Sequence, residues 1–124
     1  MAIKIGDLSQ VIAKELEAYK QDIVDEIKKE IKSSAQDLRK DIQANSPDDT
    51  GDYRKGWRER VAYESQDDIR MTVYNKTDYQ LTHLLEYGHA KVGGGRVEGH
   101  PHIGPAEKRM EKKLIQDIKA VIKG

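Results

Sequence analysis

The chain has no cysteine, which excludes disulfide staples and thiolate zinc sites and fits folding in a reducing compartment. It has no phenylalanine and one tryptophan, so little aromatic mass is available for an interior. No long apolar run occurs. The opening "MAIKIGDLSQ" lacks the hydrophobic core of a signal peptide, and no span reaches transmembrane length, so a soluble protein is expected. Neither sign of charge prevails. Twenty-two basic and 22 acidic side chains cancel, which argues against a generic nucleic-acid binder with its usual basic excess.

What is present is polar. At 124 residues with 36% hydrophobic and 35% charged side chains, the chain reads as one domain with a thin core. Small domains bury a modest fraction of their surface and hold little stability in reserve. Additional subunits are therefore expected to supply apolar area.

The first third has the period of one amphipathic helix, predicted over residues 1–45. Leu8, Ile12, Leu16, Tyr19, Ile23, Ile27, Ile31, Ala35, Leu38 and Ile42 recur at helical spacing. Asp7 or Ser9 suits the start, and Asn45-Ser46-Pro47 the stop, because the residue before proline avoids helical angles. Roughly 36 residues at about 1.5 Å each give roughly 54 Å of helix. That is longer than so small a domain is wide, so the helix breaks near Ser33-Ser34 or packs on another molecule.

The middle, residues 46–107, alternates twice. Trp57, Val61 and Tyr63 fall on one face of a first strand, "IRMTVY" forms a second, and "ESQDD" between them is a turn. An antiparallel hairpin with room for a short third strand is expected. Thr77 or Asp78 caps a short helix carrying Leu81, Leu84 and Leu85, and Gly88 stops it. Pro105 opens a last helix over 105–123, with Ala106, Met110, Leu114, Ile118 and Val121/Ile122 as its stripe. The fold class is α+β.

The stretch "EYGHAKVGGGRVEGHPHIGPAE" holds three of the four histidines and two of the three prolines. His100 and His102 at i and i+2 point to one side of an extended segment; with His89 and Glu86 they raise a zinc reading. A glycine-rich loop must be ordered at entropic cost to hold a tetrahedron, and the commoner explanation is loop or packing histidines. "GGGR" matches no phosphate-loop pattern, and no serine sits on a nucleophile elbow. Arg54, Lys55, Arg58 and Arg60, with Lys91 and Arg96 flanking the triple glycine, read as a solvated strand edge or as a local surface for DNA phosphates or an acidic partner.

"PDDTGDYRKGW", "YQLTHLLEYGHAKVGGGRV" and "PHIGPAE" together resemble the gene-product-ten-like tail components of long-tailed phages and prophages, also described as tail-completion or head–tail joining proteins. The residues carrying the likeness are Pro47, Thr50-Gly51, Trp57, Tyr79, Glu86-Tyr87-Gly88, His89, the run Gly93-Gly94-Gly95, and Pro101-His102-Ile103-Gly104-Pro105-Ala106. His102 stands where many members carry Phe, which makes it a ring in a packing slot rather than a ligand.

The resemblance implies a long first helix, a small antiparallel sheet and a last helix. It implies a structural, non-enzymatic virion part that needs no cofactor and forms a ring, hexameric in the virion, at the head-proximal end of the tail. Its partners are then identical copies, tail-tube or tail-terminator proteins and head-completion proteins, with Arg54, Lys55, Arg58, Lys91 and Arg96 near passing genomic DNA. Neither a membrane nor a small-molecule substrate is expected. The location is the head–tail junction, after assembly in the host cytoplasm. On this reading Gly88–Gly104 is a flexible connector that orders against a neighbour. Two alternatives stay open: a small metal-dependent enzyme using His89, His100 and His102, and a nucleic-acid-binding module.

Overall fold

The computed structural model describes residues 2–6, 10–14, 19–47, 51–77 and 82–123. Strands β1 (Ala2–Gly6) and β2 (Gln10–Lys14) are followed by helix α1 (Gln21–Asn45) and a single turn of helix, α2 (Asp52–Lys55). Strands β3 (Trp57–Glu64) and β4 (Ile69–Asn75) come next, then α3 (Thr82–Tyr87), β5 (Gly88–Ala90), β6 (Arg96–Glu98) and α4 (Gly104–Lys123). An antiparallel sheet runs in the order β1-β2-β4-β3, and β5 with β6 makes a separate hairpin. The architecture is α+β.

The N-terminal segment departs from the helical expectation. The helix starts at Gln21 rather than near Leu8, and residues 2–6 and 10–14 are strands. Ile3, Ile5, Val11 and Ile12 are β-branched and favour extended backbone, while Ile12 to Leu16 also fits a helix; over so short a run the two periods cannot be separated. Pairing decides. β2 adds to the open side of β4, with Val11 opposite Met71 and Ile12 opposite Arg70, so the sheet gains two strands that the hairpin expectation lacked. Asp7, Leu8, Ser9 and Leu16 lie outside the described residues.

With 25 residues, α1 is about 37 Å long, and its own chain covers it. It runs unbroken through Ser33-Ser34 and ends at Asn45, as the Ser-Pro stop predicts. Val24, Ile27, Ile31, Ala35, Leu38 and Ile42 form its buried stripe. They share one core with Ile69, Met71 and Val73 of β4 and Ala106, Met110, Leu114 and Ile118 of α4. Each Val, Leu, Ile or Met among them, fully buried, contributes about 1.5–3 kcal/mol. The helix therefore gives no argument for a missing partner, contrary to expectation.

A bulge changes the hairpin's facing. Trp57, Glu59 and Val61 pair with Asn75, Val73 and Met71, but beyond Val61 the register shifts so that Tyr63 pairs with Arg70. One extra residue reverses which side later residues face. Tyr63 therefore leaves the face of Trp57 and Val61 and joins the side away from α1. Glu64 returns to the α1 side, where Lys28 and Lys32 each approach its carboxylate at 3.3 Å. Lys28 also donates to the Ser65 carbonyl, tying the β3–β4 turn to α1. At the strand's other end Arg39 meets Glu59 at 2.6 Å.

One helix cap differs from expectation. Thr77 does not cap α3; it donates its hydroxyl to the Asp52 carbonyl and its N–H to Asn75 Oδ1, closing the turn after β4. Asp78 and Leu81 lie outside the described residues, and Leu84 is exposed rather than packed. Gly88 does end α3, at φ 81°, where a residue with a Cβ is strained.

Candidate functional site

Three chain reversals meet in one buried cluster: α1 into α2, α3 into the β5–β6 hairpin, and that hairpin into α4. Glu86 supplies its charge. One carboxylate oxygen accepts the N–H of His102 at 2.8 Å and of Ile103 at 2.9 Å, and the other accepts the N–H of Gly104 at 3.0 Å. These donors precede or begin α4 and have no helical carbonyl to reach, and they sit at its positive dipole end. Glu86 is thus the anionic N-cap of a helix 18 residues downstream.

His102 is completely buried beside it. Its Nδ1 lies 2.7 Å from the His100 carbonyl and 3.0 Å from Glu86, and its Nε2 lies 2.7 Å from the Tyr53 hydroxyl. Both groups near Nδ1 are acceptors, so Nδ1 carries the proton and Nε2 accepts from the Tyr53 O–H. Burial pushes the imidazole below its ordinary pKa, outweighing the upward pull of the His100 carbonyl and Glu86. For Glu86, burial acts upward, but the N–H groups of His102, Gly104 and Ile103 together hold the carboxyl below its ordinary value. The pair is a carboxylate and a neutral imidazole at neutral pH.

Around this pair the rings pack edge to face: Tyr53 on Trp57 and on His102, each at 5.6 Å, and Trp57 on His102 at 6.3 Å. Trp57 Nε1–H donates to Ser46 Oγ at 2.8 Å, and that hydroxyl donates to the Ile42 carbonyl at 2.7 Å. Asn75 donates to the Tyr53 carbonyl at 2.7 Å. Every helix and both strands of the β3–β4 pair are tied in. Gly51 takes φ 90° just before α2 without a side-chain cap, while Thr50 and Tyr79 lie outside the described residues. Ala106 is buried, Pro47 and Pro105 are half-buried, and Pro101 is exposed.

Chemically this cluster is closed. A general acid or base must reach a substrate proton, yet the polar atoms of Glu86 and His102 are held by fixed protein groups away from solvent. The histidines weighed as ligands are scattered in role: His89 is exposed on β5, His100 Nε2 sits 3.1 Å from the Asn45 carbonyl, and His102 is inside. No set of three His, Cys, Asp or Glu among the described residues is placed to hold a metal ion. Sequence reading missed Tyr53, Ser46 and Asn75. Tyr53 lay within the quoted "PDDTGDYRKGW" and could have been weighed as a ring; Ser46 was read only as part of the helix stop, and nothing local marks Asn75.

The glycine-rich stretch is a built hairpin rather than a flexible connector. Gly88 pairs with Glu98, His89 with Val97 and Ala90 with Arg96. At its base a Cβ on Gly88 would come within 2.3 Å of the Val97 carbonyl oxygen, and one on Gly99 within 2.5 Å of the Glu86 oxygen. Backbone here packs directly on backbone, which only glycine permits. His100 N–H donates to the Leu85 carbonyl at 2.7 Å, and Arg96 to the Tyr87 carbonyl. At the tip Gly93, Gly94 and Gly95 all have positive φ. Val92 is wholly exposed, and Leu84, Tyr87 and Val97 add further exposed apolar surface around this arm.

The basic residues fall on α2, on β3 and on the β5–β6 arm. Arg54 donates to the Ser46 carbonyl at 2.9 Å, and Arg58 to the carbonyls of Lys55 and Trp57 at 2.6 and 2.7 Å. Lys91 and Arg96 belong to the arm, and Lys55 is exposed on α2. No helix of the described residues is long and apolar enough to cross a membrane.

The family described as "Bacteriophage HK97-gp10, putative tail-component" matches residues 10–88. No curated protein and no solved structure matches the chain. The matched stretch holds Trp57, Tyr53 and Glu86 of the cluster; His102 lies beyond it.

Proposed function

We infer a structural virion role from one premise: this chain belongs to the HK97-gp10-like family of phage tail components. Within it the protein acts in tail completion or head–tail joining, as a ring, hexameric in the virion, at the head-proximal end of the tail. Its partners are copies of itself, the tail-tube or tail-terminator proteins and the head-completion proteins. The role needs no catalysis and no cofactor.

The observation that carries this reading is the contrast between a sealed polar cluster and an open apolar arm. The residues that could do chemistry, Glu86, His102 and Tyr53, are consumed in holding turns. Four of the exposed large apolar side chains, Leu84, Tyr87, Val92 and Val97, belong to the β5–β6 arm or to α3 leading into it, where a neighbour can cover them. Because the hairpin is preformed, docking it costs less ordering entropy than docking a disordered loop.

Deleting Gly93–Gly95 tests the reading. The isolated chain is expected to keep its wild-type far-ultraviolet circular dichroism, while particles assembled with the deletion are expected to be separate heads and tails by electron microscopy. Infectious particles at wild-type yield would refute the arm's role in joining.

A further inference from the structure

Strand register sorts the charges of β3 and β4 by face. Glu59 and Glu64 point to the α1 side, where Arg39, Lys28 and Lys32 neutralise them. On the opposite side stand Arg58, Arg60 and Tyr63 of β3 and Arg70, Thr72 and Tyr74 of β4. That face therefore carries three guanidinium groups and no carboxylate from either strand, within a chain whose net charge is zero. α1 packs against the other side of the sheet, and Arg58, Arg60 and Tyr63 are exposed.

The guanidinium groups lack acidic partners among the described residues. Arg58 donates only to the carbonyls of Lys55 and Trp57. Arg60 lies over the Tyr74 ring at 5.1 Å, a cation–π contact that leaves its N–H edge open. Arg70 Nε is buried with no hydrogen-bond acceptor among the described residues. Unmet donors of this kind call for an anion.

We propose that this outer sheet face binds the phosphate backbone of nucleic acid. An acidic protein surface is the rival occupant, and the make-up of the face decides against it. Protein–protein interfaces are depleted of charge at their centre and rely on apolar anchors; here β3 and β4 present arginine, tyrosine and threonine. Nucleic-acid interfaces are more polar and far more positive. Arginine matches phosphate with paired donors, and the exposed Tyr63 ring suits stacking of unpaired bases. Contacts of this type carry no base sequence. Of the basic residues singled out by sequence, Arg58 and Arg60 stand on this face and are retained, Arg54 on α2 and Arg96 on β6 are not part of it, and Arg70 is added. It stands apart from the head–tail reading and is tested on the chain alone.

The test is titration of the purified full chain with a short mixed-sequence DNA duplex and with a single strand of equal length, over a range of salt. Three phosphate contacts give a log–log slope of about −2.7 for the duplex and about −2.1 for the single strand. Arg58, Arg60 and Arg70 changed together to Gln are expected to abolish the slope, Arg60→Gln alone to reduce it by about 1, and Lys112→Gln with Lys119→Gln on α4 to leave it unchanged. The Arg-to-Lys triple variant, which keeps charge, should keep most of the slope and guards against a folding artefact. Tighter binding of the single strand at equal salt assigns the Tyr63 ring to base stacking, and tighter binding of the duplex assigns the face to duplex; either supports the proposal. Absence of salt-dependent binding by the wild-type chain overturns it, as does binding that survives the triple Gln change. Self-association lost in that variant, without DNA binding, would also overturn it and give the face to a second copy.

Discussion

The buried cluster and the β5–β6 arm use the same residue types in opposite ways. In the cluster, His102 and Tyr53 are sealed and each polar atom meets a fixed partner. On the arm, His89, Tyr87 and Val92 face outward. Glycine also differs: Gly88 and Gly99 at the arm's base sit where a Cβ would strike backbone, whereas a Cβ on Gly93 or Gly94 would meet nothing. Base and cluster are thus intolerant of change for reasons of folding. At the tip space is free, but the positive φ of Gly93, Gly94 and Gly95 strains any residue with a Cβ; Val92, wholly exposed beside them, is the position where a penalty reports on partners.

The largest expected effect is at Glu86. Glu86→Ala strips three backbone N–H donors and His102 of a buried acceptor and should cost about 3–5 kcal/mol in urea unfolding. Glu86→Gln, which keeps one oxygen, should cost less; equal losses would mean that volume rather than hydrogen bonding matters. Next, Gly99→Ala forces backbone apart at the arm's base and is expected to cost about 2 kcal/mol. Tyr53→Phe leaves the His102 Nε2 acceptor unmet and should cost about 1 kcal/mol.

The sign of the pH dependence follows from both depressed groups. In the unfolded chain His102 takes a proton near its ordinary value, about 6.5, while the folded site resists it. The unfolded state therefore binds more protons as pH falls below about 6.5, and stability drops. Glu86 adds a second loss below its ordinary value of about 4.3. The stability contributed by each group is complete above its unfolded pKa and lost as pH falls through its folded one. His102→Phe should remove the upper loss and keep the lower. An unchanged profile in that variant would mean that His102 is not the group responsible. The smallest effect on folding belongs to Val92→Asp, within about 0.5 kcal/mol of wild type.

Sequence pattern gave reliable signals where one period acted over a long run or a backbone-specific residue stood at a boundary. The α1 stripe from Ile23 to Ile42, the Ser46-Pro47 stop, the glycine stop at Gly88 and the last helix all follow that logic. The first twenty residues did not, because Ile3, Ile5 and Val11-Ile12 fit two periods and only pairing with β4 settles them. Tyr63 was misassigned because a bulge leaves no mark in an alternating run. Within the cluster, His102 was legible as a ring in a packing slot. The Glu86 cap was not, since its partners lie 16 to 18 residues away and only the closed hairpin brings them together.

The most direct measurement of the arm's role is the fraction of tails joined to heads in particles carrying Val92→Asp, taken with the urea midpoint of the same variant. The account predicts an unchanged midpoint and mostly unjoined tails. Joined particles at wild-type frequency, from a variant that folds normally, would contradict it.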